Sequence, residues 1–391
     1  AAVARAVRSL GFNWNFAPVL DLNNNPHNPV IAERSFGADP EQATRIALAW
    51  MEGSEREGVA CCVKHFPGHG DTHVDSHRDL PYVDKSRAEL ERFEFAPFRI
   101  AAPHAPAMMT AHIVYPALDP VNPATMSHAI LTGVLREQFG YDGVIITDGM
   151  DMHAIAHRYG VGQAAVNALV AGADMVMAIG TRDTQIETVH AIAAAIRDGV
   201  LPLAAVQARL ARLGKLADAH PAGSVAYAAE ADDRALMERA WRAGLTALRS
   251  PRRPERGARV RLVARADVVS DGVSEAGVPA ASIAAALSQL YDVDLVTFAD
   301  SETFDWAALP ADGRFTILAS TARRRYGPQA CATWRPDLHL ALWNPYQALD
   351  FPGPALLTYG FAPPALAAAV AWLAGGIDAP GTCPVPGFDG P

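Results

Sequence analysis

Positive charge is what this chain has least to spare. It carries 33 Lys and Arg against 42 Asp and Glu, a net charge of -9. No basic surplus is present to neutralise phosphates, so neither a nucleic acid nor an anionic membrane surface is expected as a partner. Cysteine is scarce as well: 4 in 391 residues. Cys61 and Cys62 are adjacent inside an apolar run, where strand neighbours point to opposite faces, and Cys331 and Cys383 lie far away. That spacing excludes a disulfide framework and reads as buried thiols. No apolar run approaches the roughly 20 residues that span a bilayer. No GxGxxG or GxxxxGK[ST] follows a strand, and Gly68-His69-Gly70 is too short to cradle a dinucleotide. What remains is a chain 50% hydrophobic and 19% charged, globular and long enough for two domains.

The first half alternates apolar strands with helical stretches. FNWNFAPVLDL, GVACCVKHF, PAMMTAHIV, GVIITD and DMVMAI read as strands, with helices expected at 1–10, 40–57, SRAELERFEFAPFRIAA, HAILTGVLREQFG, GVGQAAVNALVAGA, TQIETVHAIAAAIRDG and LAAVQARLARLGKLADA. Such alternation means a parallel sheet with helical crossovers. Polar residues recur just past the strand ends: Asp21, Lys64-His65, His112 and Asp148. A (β/α)8 barrel collects its active site there, and so does an open doubly wound sheet, so both architectures stand at this point.

The most informative stretch is KHFPGHGDTHVDSHRDLP, residues 64–81. His65, His69, His73 and His77 are spaced four apart, which on a helix would stack four imidazoles as metal ligands. Pro67, Gly68 and Gly70 place the segment on a loop instead, and no metal is expected. Within it, Asp75-Ser76-His77 sets a carboxylate two residues before an imidazole. The carboxylate can hold one ring nitrogen while the other moves a proton. Asp148, followed by Gly149, is either a turn aspartate or a carboxylate at a barrel mouth. With a proton donor opposite, it would form the minimal kit for breaking a glycosidic bond.

The run KHFPGHGDTHVDSHRDLP, with NFAPVLDL before it and MTAHIVYP and LREQFGYDGVIITDGMDM after it, resembles the β-N-acetylhexosaminidases of glycoside hydrolase family 3. The likeness covers most of residues 11–220. It implies a TIM-type barrel and a retaining exo-glycosidase for terminal β-linked N-acetylglucosamine, with no cofactor, acting on small carbohydrates such as cell-wall muropeptides in a cytoplasmic setting. It further implies Asp148 as nucleophile, the Asp75–His77 dyad as general acid/base, and Asp21, Arg34, Lys64 and His65 as contacts to the sugar. Read by themselves, Lys64 also fits a strand-end lysine, Arg34 an ion-pair partner of Glu33 or Asp39, Asp21 a loop cap and His65 a buried histidine. His112 is read as structural. Five strands do not close an eight-stranded barrel, so one to three further βα units are expected upstream.

After residue 222 the character changes. AEADDRALMERAWRAGLTALR reads as one amphipathic helix and SPRRPERGA as a linker. RVRLVA, VDLVTFA, FTILAS, LHLALW and ALLTYG then alternate with helices as a smaller α/β sandwich. The expected organisation is a barrel over 1–222, helix and linker over 223–256, and a sandwich domain over 257–391, taken as non-catalytic. The alternatives are a family 3 β-glucosidase or xylosidase, an N-acetylglucosaminide phosphorylase, and a non-catalytic sugar-binding protein. Oligomeric state is left open.

Overall fold

Apolar runs closed by polar residues become strands here, and the amphipathic stretches between them return the chain to start the next strand. The computed structural model describes residues 1–28, 30–72, 80–270 and 275–388, and the chain divides into two units, Ala1–Glu230 and Ala231–Pro391.

The first unit is built on five strands: β1 (Trp14–Asn15), β2 (Ala60–Phe66), β3 (Ala107–Thr110), β4 (Val144–Gly149) and β5 (Met175–Met177). They pair in parallel and in chain order. A monotonic order has no point of reversal, so every crossover adds its strand to the same side, as in the wall of a (β/α)8 barrel. β1 is short because Pro18 has no N–H for the ladder. Pairing resumes at Val19, beside Lys64, and carries the chain to Asp21.

Alternation along β2 sends its cysteines apart. Cys61 packs with Met51, Val63 and Phe98, whereas Cys62 joins Ala107, Met109, Val144 and Ile146. Both are free thiols, and burial pushes Cys61 up to about 12. The stretch read as one helix after Ser86 is two, Arg87–Arg92 and Phe95–Ala101. Pro97 cannot donate to the Phe93 carbonyl, so the helix restarts with proline in its first turn. A helix not expected from the sequence, His153–Tyr159, follows β4.

The second unit holds a mixed six-stranded sheet: β6 (Thr246–Leu248), β7 (Arg259–Arg265), β8 (Asp292–Phe298), β9 (Phe315–Ser320), β10 (Leu338–Ala341) and β11 (Ala355–Leu357), in the order β6-β11-β10-β9-β7-β8. All pairs are parallel except β11 with β6. Strand β6 corrects the sequence reading, which ran one helix through it. The helix Glu230–Gly244 ends at its glycine, and Thr246 begins an edge strand. No helix among the described residues is long and apolar enough to cross a membrane.

Candidate functional site

The C-terminal ends of β2 and β4 and the segment after β1 bring Asp21, Lys64, His65 and Asp148 together. Asp21 has no exposed side-chain surface. Its carboxylate accepts the His65 N–H at 3.1 Å, the His69 N–H at 2.6 Å and the His65 Nδ1 proton at 2.6 Å. Burial raises its pKa above the ordinary carboxylate value, against the opposing pull of His69 and the donated N–H groups. In this arrangement it fixes the start of the histidine loop.

With Nδ1–H given to Asp21, His65 presents Nε2 as an acceptor toward Arg34 Nη2, 3.5 Å away. Burial, aided by Arg34, holds its pKa well below the usual imidazole value, against the pull of Asp148. The same Nε2 is 3.9 Å from Asp148 Oδ2. Arg34 ends a short 3-10 turn, Ala32–Arg34, and also reaches the Val30 carbonyl.

Asp148 lies at the end of β4 with 21% of its side chain exposed. Oδ1 accepts the N–H of Gly149 at 2.8 Å. Burial by itself would raise its pKa. His65, His112, the Gly149 N–H and Lys64 outweigh that, and the carboxyl sits below its ordinary value. Lys64 is half-buried beside it, lowered by burial and by Arg34, and makes no ion pair among the described residues. An ionised, partly open carboxylate with a cation beside it is equipped to attack an electrophilic carbon.

His112, read from the sequence as structural, is buried and holds the backbone beside this carboxylate. Its Nε2 donates to the Gly149 carbonyl at 2.9 Å and its Nδ1 meets Thr125 Oγ1 at 2.8 Å. The sequence signal was available: a polar residue just past a strand end, the same rule that marks Lys64 and His65.

Loop residues 67–72 are held by many contacts. Asn28 Nδ2 donates to the carbonyls of His69 (2.8 Å) and Gly70 (3.0 Å), and Tyr115 donates to the Gly68 carbonyl. Lys85 reaches Asp71 at 2.7 Å and the buried Glu94 at 2.5 Å. The rings of His65 and His69 meet edge-on with centroids 5.8 Å apart, and His69 Nδ1 is taken by Thr72. Among the described residues no group of three metal-ligating side chains converges. Asp75 and His77, the expected dyad, and His73 lie outside the described residues.

Residues 1–216 match the model of the glycosyl hydrolase family 3 N-terminal domain. Over 190 residues the chain is 44% identical to a β-hexosaminidase A of Pseudoalteromonas piscicida, covering 45% of this chain and 32% of that protein. A β-hexosaminidase of Alkalilimnicola ehrlichii is 40% identical over 176 residues, 45% of this chain and 50% of its own. The chain thus spans half or less of these curated relatives. Among solved structures, a glycoside hydrolase family 3 β-N-acetylglucosaminidase from Paenibacillus is 32% identical, with a TM-score of 0.86, over 98% of this chain and 78% of that one.

Proposed function

Because the chain belongs to glycosyl hydrolase family 3, we propose that it serves the cleavage of terminal β-linked N-acetylglucosamine by double displacement with retention. Asp148 attacks the anomeric carbon and carries the glycosyl group. His77, oriented by Asp75, protonates the departing oxygen and then withdraws a proton from the incoming water. Bond breaking at the anomeric carbon leaves an oxocarbenium-like centre, which the ionised carboxylate below the ring stabilises before bonding to it. Lys64, Arg34 and His65 hold sugar hydroxyls, and Asp21 takes part through the orientation it gives His65. Muropeptide-derived glycosides in the cytoplasm are the natural substrates in this reading.

The observation that carries it is the state of Asp148: partly exposed, ionised, and flanked by Lys64 and His65. The β-hexosaminidase names of the relatives support the choice of sugar. Parallel assays with aryl N-acetylglucosaminide and aryl glucoside test the substrate, and turnover of the glucoside alone overturns it. For His77→Gln, loss should be about 10²- to 10⁴-fold on poor leaving groups and slight on activated ones. Equal losses on both would remove the acid role.

A further inference from the structure

The second sheet contains a feature that the glycosidase chemistry does not use. From β7 the chain adds β8 on one side and then crosses back to place β9 on the other. Crossovers leaving in opposite directions part at the C-terminal ends of β7 and β9, and open α/β sheets hold ligands in the crevice so formed. Here it is a cavity of about 330 Å³ whose lining includes Arg265, Ser320, Arg324, Tyr326 and Gln347. That volume suits a single small molecule.

The floor is a polar relay. Ser320 Oγ lies 2.8 Å from His339 Nε2 and 2.7 Å from the Tyr326 hydroxyl. Burial lowers His339 to about 3, so its ring is neutral, and Nδ1 has no partner among the described residues. A stranded N–H is rarer in protein interiors than an unused acceptor, which assigns the ring proton to Nε2. His339 then donates to Ser320, Ser320 donates to Tyr326, and the phenolic proton of Tyr326 is left to point elsewhere. Burial keeps that phenol protonated, and Arg265 is close enough to act on it.

Two guanidiniums line the cavity without a carboxylate partner among the described residues. Arg265 gives Nε to the Ala299 carbonyl at 3.0 Å, and the Arg324 side chain is exposed. Arg325, in contrast, is tied to Asp350 at 2.7 Å. Two carboxylates also line the cavity: Asp300, whose Oδ1 accepts the Glu302 N–H at 3.0 Å, and Glu302, which packs where a Gly327 side chain would stand. Gln347, 1% exposed, donates to the Ala322 and Arg324 carbonyls, and its Oε1 has no partner among the described residues.

We propose that this crevice binds a small anion that also bears a hydroxyl, amine or amide donor. The anionic group sits between Arg265 and Arg324 and accepts from Tyr326, while the donor meets Gln347 Oε1. A carboxylate on an amino acid and a phosphate on a sugar share this chemistry.

Calorimetric titration of the whole chain with alanine, glucose 6-phosphate, glucose and sulfate tests it. Alanine or glucose 6-phosphate should bind at one site with Kd below about 1 mM, and whichever binds identifies the anionic group. Glucose and sulfate, each lacking one of the two features, should bind at least ~10-fold more weakly. Arg265→Gln or Arg324→Gln should cost a similar factor, whereas Arg252→Gln and Asp148→Asn leave binding intact. The proposal is overturned if neither ligand saturates by about 10 mM. It is equally overturned if sulfate or glucose binds as well, or if both arginine substitutions leave affinity unchanged.

Discussion

Asp148 shows how a half-buried acid is kept in its charged form. Desolvation pushes it toward neutrality, and a cation, two imidazoles and one backbone N–H push back harder. The consequence is directional. In the proposed reaction only the carboxylate attacks, so kcat/KM falls as pH drops through the pKa of Asp148, which lies below the ordinary carboxylate value. Lys64→Met removes one of the lowering influences, and the acid limb of the pH–rate profile should move to higher pH. An unmoved limb would mean that Lys64 has no hold on the nucleophile. His112 acts on Asp148 through Gly149. His112→Phe should lower kcat by about 10- to 100-fold with little change in KM, since the loss is one of position. Strand-end polarity made Asp21, Lys64, His65 and Asp148 legible in the sequence. His112 obeys the same rule, but its partner is a backbone carbonyl 37 residues away. No side-chain pattern announces such a partner.

At the scale of elements, the loop after β2 depends on close backbone approach. A Cβ on Gly70 would stand 1.7 Å from the Leu22 carbonyl oxygen, and one on Gly68, at φ +138°, would press on Glu94. Gly70→Ala therefore forces apart the two segments that Asp21 joins. It should cost about 1–3 kcal/mol, read as a lower denaturant midpoint, and activity should fall with it. Unchanged stability would show that the loop yields freely. The glycines and Pro67 announced a loop, and residues 67–72 form one after β2. Boundaries set by backbone hydrogen bonding were less legible. Pro97 divided one expected helix, and β6 was hidden in the apolar tail of another. The periodicity of AGLTALR fits either state, and pairing with β11 decided it.

At the scale of the molecule, the two sheets answer the question left open by strand-end polarity. The first adds strands in chain order, as a barrel wall does, and the second reverses at β7, as a doubly wound sheet does. The alternation of strands and helices gave away both α/β units, whereas strand order is a tertiary property with no local signal. The family match covers the unit that holds Asp148, and the account stands on what that carboxylate does to a sugar. A 5-fluoro N-acetylglucosaminyl substrate, which slows release of the glycosyl group, should leave the protein covalently labelled. Peptide mapping by mass spectrometry is then the decisive measurement. The account predicts the adduct on Asp148, and its absence from Asp148→Asn. A label on any other residue, or turnover with no adduct on the native protein, would contradict it.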